Sequence, residues 1–128
     1  MPAIEAIRSE QLPPPVGPFS PAIRSGGFIF FSGQIGVDPA RGGALVGGGI
    51  EDETRQLFAN ISTLLDAAGK SFSDVVKVNV FLTDMADFAA LNAIYAAQFD
   101  APFPARTTVA VAALPLGASI EIEMVVKD

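Results

Sequence analysis

The chain has no cysteine and no histidine, a single tyrosine, and only eight lysines and arginines against fourteen acids. Without cysteine there is no disulfide, no thiolate metal site and no thiol nucleophile. Without histidine the commonest metal ligand and the commonest general base are both missing, so most catalytic repertoires are closed. The formal net charge of -6 offers no attraction to a phosphate backbone, and no Lys/Arg cluster is present to follow a nucleic-acid strand. Nucleic-acid binding therefore ranks low. No apolar run approaches membrane-spanning length, and the N-terminal "MPAIEAIRSEQLPPP" carries acids and prolines where a secretory signal would need an apolar core. The expectation is a cytoplasmic protein.

What remains is apolar. Half of the 128 residues are hydrophobic and 17% are charged, a composition that forms one domain over residues 1–128 and leaves surface to bury against other subunits. Ile4 to Ile7 reads as a short strand, and "LPPPVGPFSP" as a stiff loop that is neither helix nor central strand. "AIRSGGFIFFSGQIG" reads as a hairpin, with strands Ala22–Arg24 and Phe28–Ile35 around Ser25-Gly26-Gly27. The glycine-rich "GVDPARGGALVGGG" lacks the Lys-Ser/Thr ending of a phosphate-cradling loop and reads as a flexible turn; its Gly42–Gly49 part could shape or gate a cleft.

Helical spacing of Leu57, Phe58, Ile61, Leu64, Leu65 and Ala68 predicts a helix over Glu51–Ala68, with acids in its first turn and Gly69 at its end. "DVVKVNVFL" alternates as a strand, with Val76, Val78, Val80 and Leu82 on one face. Phe88, Leu91, Tyr95 and Phe99 trace a second helix from about Met85, and strands Arg106–Ala113 and Ser119–Val126 close the chain. The order β-β-β-α-β-α-β-β is an α+β domain whose two helices cover one face of a mixed sheet. Alternation puts Ile120, Ile122, Met124 and Val126 toward the helices, with Glu121, Glu123 and Val125 opposite. The same reasoning takes Thr107, Val109 and Val111 as the buried set of the preceding strand. Arg106, Thr108 and Ala110 would then share the open face with Glu121, and that face, apolar at Phe81 and Val125, would pack against another subunit.

Taken together, "GPFSPAI", "FFSGQIGVDP", "LNAIYAAQF" and "PARTTVAVAALPLGASIEIE" resemble the RidA-type (YjgF-type) reactive intermediate deaminases over essentially the whole chain. The resemblance implies a chorismate-mutase-like fold, a homotrimer with clefts between subunits, and no cofactor or metal. It implies hydrolysis of 2-aminoacrylate, 2-iminopropanoate or 2-iminobutanoate to the 2-keto acid and ammonia. Arg106 matches the family's carboxylate-holding arginine and Glu121 the glutamate that positions the attacking water. Ser32 with Gly33 in "FSGQ" and Asn92 in "LNAIY" match further pocket positions. Three positions depart from the pattern: Phe19 stands where many members have tyrosine, Pro21 where glutamine is frequent, and Thr108 where a subset has cysteine.

The chemistry fits the residue types. A guanidinium offers a planar fork for a substrate carboxylate. A glutamate can accept a water's proton during attack on C=N, an effect of about 10² to 10⁴ in rate. The only lysines, Lys70, Lys77 and Lys127, lie away from Arg106 and make a Schiff-base mechanism improbable. On the residues alone, a strand-end arginine beside a glutamate, as Arg106 and Glu121 would be, is more often a structural ion pair than a catalytic one, and parity does not separate Glu121 from Glu123. Asn92 reads as a buried side chain bonded to backbone, Ser32 as a turn cap, Phe19 as an apolar wall and Tyr95 as core. The functional alternative is a non-catalytic protein that holds keto acids or modulates a partner in the same cleft. A ribonuclease or translation inhibitor ranks below both.

Overall fold

The computed structural model describes residues 3–128. Along the chain run β1 (Glu5–Ile7), β2 (Ala22–Ser25), β3 (Phe28–Gln34), β4 (Val37–Asp38), β5 (Ala44–Leu45), α1 (Ile50–Ala68), β6 (Val75–Leu82), α2 (Phe88–Ala96), β7 (Ala105–Ala110) and β8 (Ile120–Lys127). Helix α1 begins with Glu51, Asp52 and Glu53, which complement the positive end of the helix dipole. It stops at Gly69, whose φ of 72° is the left-handed conformation that a side chain disfavours. Helix α2 is entered through a short 3₁₀ turn, Met85–Asp87, where Asp84 accepts the Ala86 N–H at 2.9 Å. It ends three residues before Phe99, which is nevertheless buried against Phe58, Phe72 and Tyr95. No helix of the described residues is long and apolar enough to cross a membrane.

Six strands form one mixed sheet in the order β1-β2-β3-β8-β6-β7. Only β6 and β7 run parallel, and α2 supplies the crossover that a parallel pair requires. The helices lie on one face. There Ile120, Ile122 and Val126 of β8 are fully buried with Val78, Val80 and Leu82 of β6 against Leu57, Ile61 and Leu64 of α1. Burial of each such side chain contributes about 1.5–3 kcal/mol, and this is what holds the helices to the sheet. The other face carries Phe28 and Phe30, 43% and 47% exposed, beside half-buried Phe81 and Val125. It is an apolar face without a covering layer in the single chain.

Four expectations are corrected. Val76 does not join the buried row of β6; it is the extra residue of a bulge between Val75 and Lys77, so Val75 takes the buried place and Val76 is 40% exposed. The glycine-rich segment is not simply a flexible turn, since Val37–Asp38 pairs with Ala44–Leu45 in a ribbon. Asn60 of α1 donates to the Val37 carbonyl at 2.8 Å, and a Cβ on Gly36 would lie 2.8 Å from Glu53 Cα, so the ribbon rests directly on the helix. Strand β7 ends at Ala110 rather than Ala113. Its face assignment is also inverted. Arg106 pairs with Val78 and Thr108 with Val80, which puts both on the helix side, while Thr107 and Val109 look out from the open face. Ala110, paired with Leu82, belongs with Arg106 by the same register.

Candidate functional site

Arg106 is the second residue of β7, at the sheet edge and beside α2. Its guanidinium carbon stands 4.6 Å from the Tyr95 ring centre and 5.5 Å from that of Phe88. A guanidinium over aromatic faces gains about 0.5–2 kcal/mol and has its plane fixed. Among the described residues no carboxylate comes within ion-pair distance of it, so the structural-ion-pair reading with Glu121 does not hold within one chain. Among the described residues three buried side-chain atoms have no hydrogen-bond partner, and all belong to this side of the fold: Asn92 Oδ1, Tyr95 Oη and Thr108 Oγ1. An orphaned buried polar group costs about 1–3 kcal/mol. Asn92 and Tyr95 are one turn apart on α2, and Thr108 follows Arg106 on the same face of β7. The cluster combines an unpaired cation with unsatisfied polar atoms, which is the composition of a site prepared for a polar anionic ligand. Burial raises the Tyr95 phenol above its ordinary value, with Arg106 opposing in part, so it remains a neutral hydroxyl.

Glu121 lies on the other face of the sheet. It pairs across the ladder with Phe81 and borders a cleft of about 800 Å³ between the proline-rich loop and the turn before β8. Phe19, Pro21, Gly33, Pro115 and Leu116 line the same cleft. Gly33 sits in a bulge of β3, where Ser32 and Gly33 together oppose Glu123, and its missing side chain is what admits the Glu121 carboxyl. A Cβ there would come within 2.7 Å of Glu121 Cδ. Burial, then the neighbouring charge of Glu123, raises Glu121 above the ordinary glutamate value. A carboxylate so placed is a better proton acceptor than a solvated one. Glu123, the rival in the sequence, accepts a hydrogen bond from Asn79 at 3.1 Å and does not line the cleft.

The seven residues singled out in the sequence thus fall into two groups. Phe19, Gly33 and Glu121 meet at the cleft, with Ser32 adjacent to it. Arg106, Asn92 and Thr108 gather on the helix side. Ser32 itself is structural: its hydroxyl donates to the Ser20 carbonyl at 2.6 Å and its N–H to the Pro21 carbonyl at 2.9 Å, which fixes the loop that carries Phe19. The two groups cannot meet within one chain, because the sheet stands between them. They can meet only where the Arg106 edge of one copy faces the Glu121 cleft of another.

Tyr95 and Phe88 as the seat of Arg106 were missed in the sequence, where both read as core. The signal was available, since Arg106 is the only cation near an otherwise apolar strand and needs some compensating surface. Pro115 and Leu116 were read only as a connection. Leu116 adopts φ 58°, the only non-glycine in the left-handed region among the described residues, and holds its side chain 68% exposed at the cleft. Nothing in a linear pattern announces that.

Comparison with known proteins places the whole chain in one family. Residues 9–127 match the family model described as endoribonuclease L-PSP. A RutC family protein of Pyrococcus horikoshii is 49% identical over 94% of this chain and 95% of its own length. The 2-iminobutanoate/2-iminopropanoate deaminase of the mite Dermatophagoides farinae is 46% identical, with 94% and 93% covered. Among solved structures, RidA from an Antarctic Psychrobacter superposes with a TM-score of 0.91 at 42% identity, covering 97% of this chain and 99% of that one. Escherichia coli TdcF with bound serine superposes at 0.89 and 35% identity, with 97% and 98% covered. With the family model matched over nearly the full length, and relatives and solved structures similar at such identity over the same span, the chain belongs to the endoribonuclease L-PSP family, that of the RidA-type reactive intermediate deaminases.

Proposed function

We propose that the protein hydrolyses 2-imino acids and their enamine tautomers, such as 2-aminoacrylate, 2-iminopropanoate and 2-iminobutanoate, to 2-keto acids and ammonia. The site is shared between neighbouring copies of a homotrimer. The observation that carries this reading is an Arg106 without a carboxylate partner on the helix side, where three buried polar atoms are also unsatisfied, together with a Glu121 carboxyl that borders a cleft on the opposite face. The deaminase names of close relatives support it.

Arg106 of one copy holds the substrate carboxylate in a bidentate fork, and Asn92 and Thr108 supply hydrogen bonds beside it. Glu121 of the neighbouring copy takes a proton from a water as its oxygen adds to C2. Glu121 passes that proton to the imine nitrogen to give the carbinolamine; the carbinolamine's hydroxyl proton then moves to nitrogen, the C–N bond breaks with its electron pair leaving on ammonia as C2=O forms, and the keto acid remains. The imine is already activated, so orientation and one general base suffice. No step calls on a cofactor, a metal or a covalent nucleophile.

The test generates 2-iminopropanoate in place with an amino acid oxidase and measures its loss against a semicarbazide trap. Faster loss with the wild type, and loss at the uncatalysed rate with folded Arg106→Ala and Glu121→Ala, is the expected result. Absence of acceleration by well-folded oligomer across small and bulky imines would favour the second reading, a protein that binds small amino or keto acids without turning them over. Serine bound to the related TdcF lends that reading its support.

A further inference from the structure

We infer that the cleft beside Glu121 receives the substrate's side chain and selects 2-imino acids with bulky apolar side chains, branched aliphatic or aromatic, over 2-iminopropanoate and over imino acids that end in a charge. This rests on the deaminase reading and goes beyond it to the identity of the substrate. If the carboxylate is fixed on Arg106 of one copy and the water on Glu121 of the next, C2 lies between them. The side chain must then continue along whatever borders Glu121.

That border is apolar and stiff. Phe19, Pro21, Pro115 and Leu116 line it beside Glu121 in a cleft that measures about 800 Å³ in the single chain. Prolines and an aromatic ring lose little conformational freedom when a ligand arrives, so such a wall acts without being reorganised. Phe19 brings no hydroxyl to the wall, and the neighbouring Pro21 brings no amide. Leu116 is kept 68% exposed in a left-handed conformation that favours glycine, although Gly117 follows immediately. Strain of this kind is retained where the side chain it presents has a use. The charged groups on the cleft are Glu121 itself and, at its border, Arg8 and Glu10, which are opposite in sign and solvated. A substrate with a charged tail would thus lose water against Phe19 and Leu116 without gaining a buried partner.

The experiment compares kcat/KM for imines formed in place from alanine, leucine, phenylalanine and glutamate, using wild type, Leu116→Gly and Phe19→Ala. An apolar pocket distinguishes about 10- to 200-fold per methylene. The leucine- and phenylalanine-derived imines are therefore expected at least about tenfold above the alanine- and glutamate-derived ones, with that ratio falling toward one in both variants. Leu116→Gly relieves the backbone, so its effect is free of misfolding. Turnover of every imine with the alanine-derived one equal or best overturns the selection and leaves the deaminase reading intact. A high ratio unchanged in both variants overturns the assignment of the cleft. Should no imine be turned over, calorimetric titration with the keto acids of leucine and alanine decides: tighter binding of the former, lost in Leu116→Gly, upholds the side-chain pocket, and equal binding sinks it.

Discussion

Arg106 and Glu121 stand on opposite faces of the same sheet, Arg106 paired with Val78 on the helix side and Glu121 paired with Phe81 on the open side. Neither can complete the other within one chain. The open face is apolar enough, at Phe28 and Phe30, to be covered by another copy. A site composed from two faces of two copies has consequences that a site within one chain lacks.

Arg106→Ala and Glu121→Ala, each inactive alone, are expected to regain activity when unfolded together and refolded as mixed oligomers. Random mixing joins an intact Arg106 edge to an intact Glu121 cleft at roughly one interface in four, so up to about a quarter of wild-type activity should return. Imine hydrolysis measured before and after mixing checks it. No recovery in oligomers shown by mass spectrometry to be mixed would put both residues in one subunit's site.

Gly33→Ala should fold normally and lose activity. Gly33 has an ordinary backbone conformation, and the atoms a Cβ would strike belong to the end of the Glu121 side chain, which can move aside. Displacing a reacting group by about 1 Å costs on the order of 10² in rate. An unchanged melting temperature with kcat/KM reduced about 10- to 100-fold is the expected pair of results; unchanged kcat/KM would detach the Glu121 position from catalysis.

The pH dependence follows from the raised Glu121. Its carboxylate is the active form, so kcat/KM should fall as pH drops through a midpoint above the ordinary glutamate value, and Glu121→Gln should abolish that limb. The sign for stability is the reverse of that for a salt-bridged acid. The folded state holds this proton more tightly than the unfolded chain, so the residue stabilises at low pH, below its unfolded value. That contribution disappears as pH rises through its folded value. Glu121→Gln should accordingly be more stable than wild type at neutral pH, with the difference vanishing in acid, as denaturant titrations at both pH values would reveal. With the group only partly buried, the effect is small.

Glu53 is 4% exposed, and its carboxylate accepts the Ser119 N–H at 2.7 Å, which ties the start of α1 to the entry of β8. Glu53→Ala orphans that N–H and should cost about 1–3 kcal/mol in chemical denaturation. Glu53→Gln, able to accept the same bond, should recover most of the loss. Because β8 carries Glu121, Glu53→Ala should also loosen the cleft and lower kcat.

Much of this protein is written in its sequence. The stripe Leu57–Ile61–Leu64 makes α1, and the alternation of Ile120, Ile122, Met124 and Val126 makes β8 and aims Glu121 away from the helices. The absence of histidine and cysteine narrows the chemistry to carboxylate and guanidinium groups. Tertiary structure decided which way β7 faces. Its two alternating sets were legible, but Thr107 and Val109 look as burial-prone as any core pair, and a sheet with apolar surface on both faces gives alternation no means of telling the helix side from the open one. The register of β7 on β6, set by the α2 crossover, settles it and turns Arg106 onto Tyr95. The bulges at Val76 and at Ser32–Gly33, and the seating of Gly36 on α1, likewise depend on what each residue meets across space. A linear pattern records how often a side chain changes sides; only packing determines what stands there to meet it.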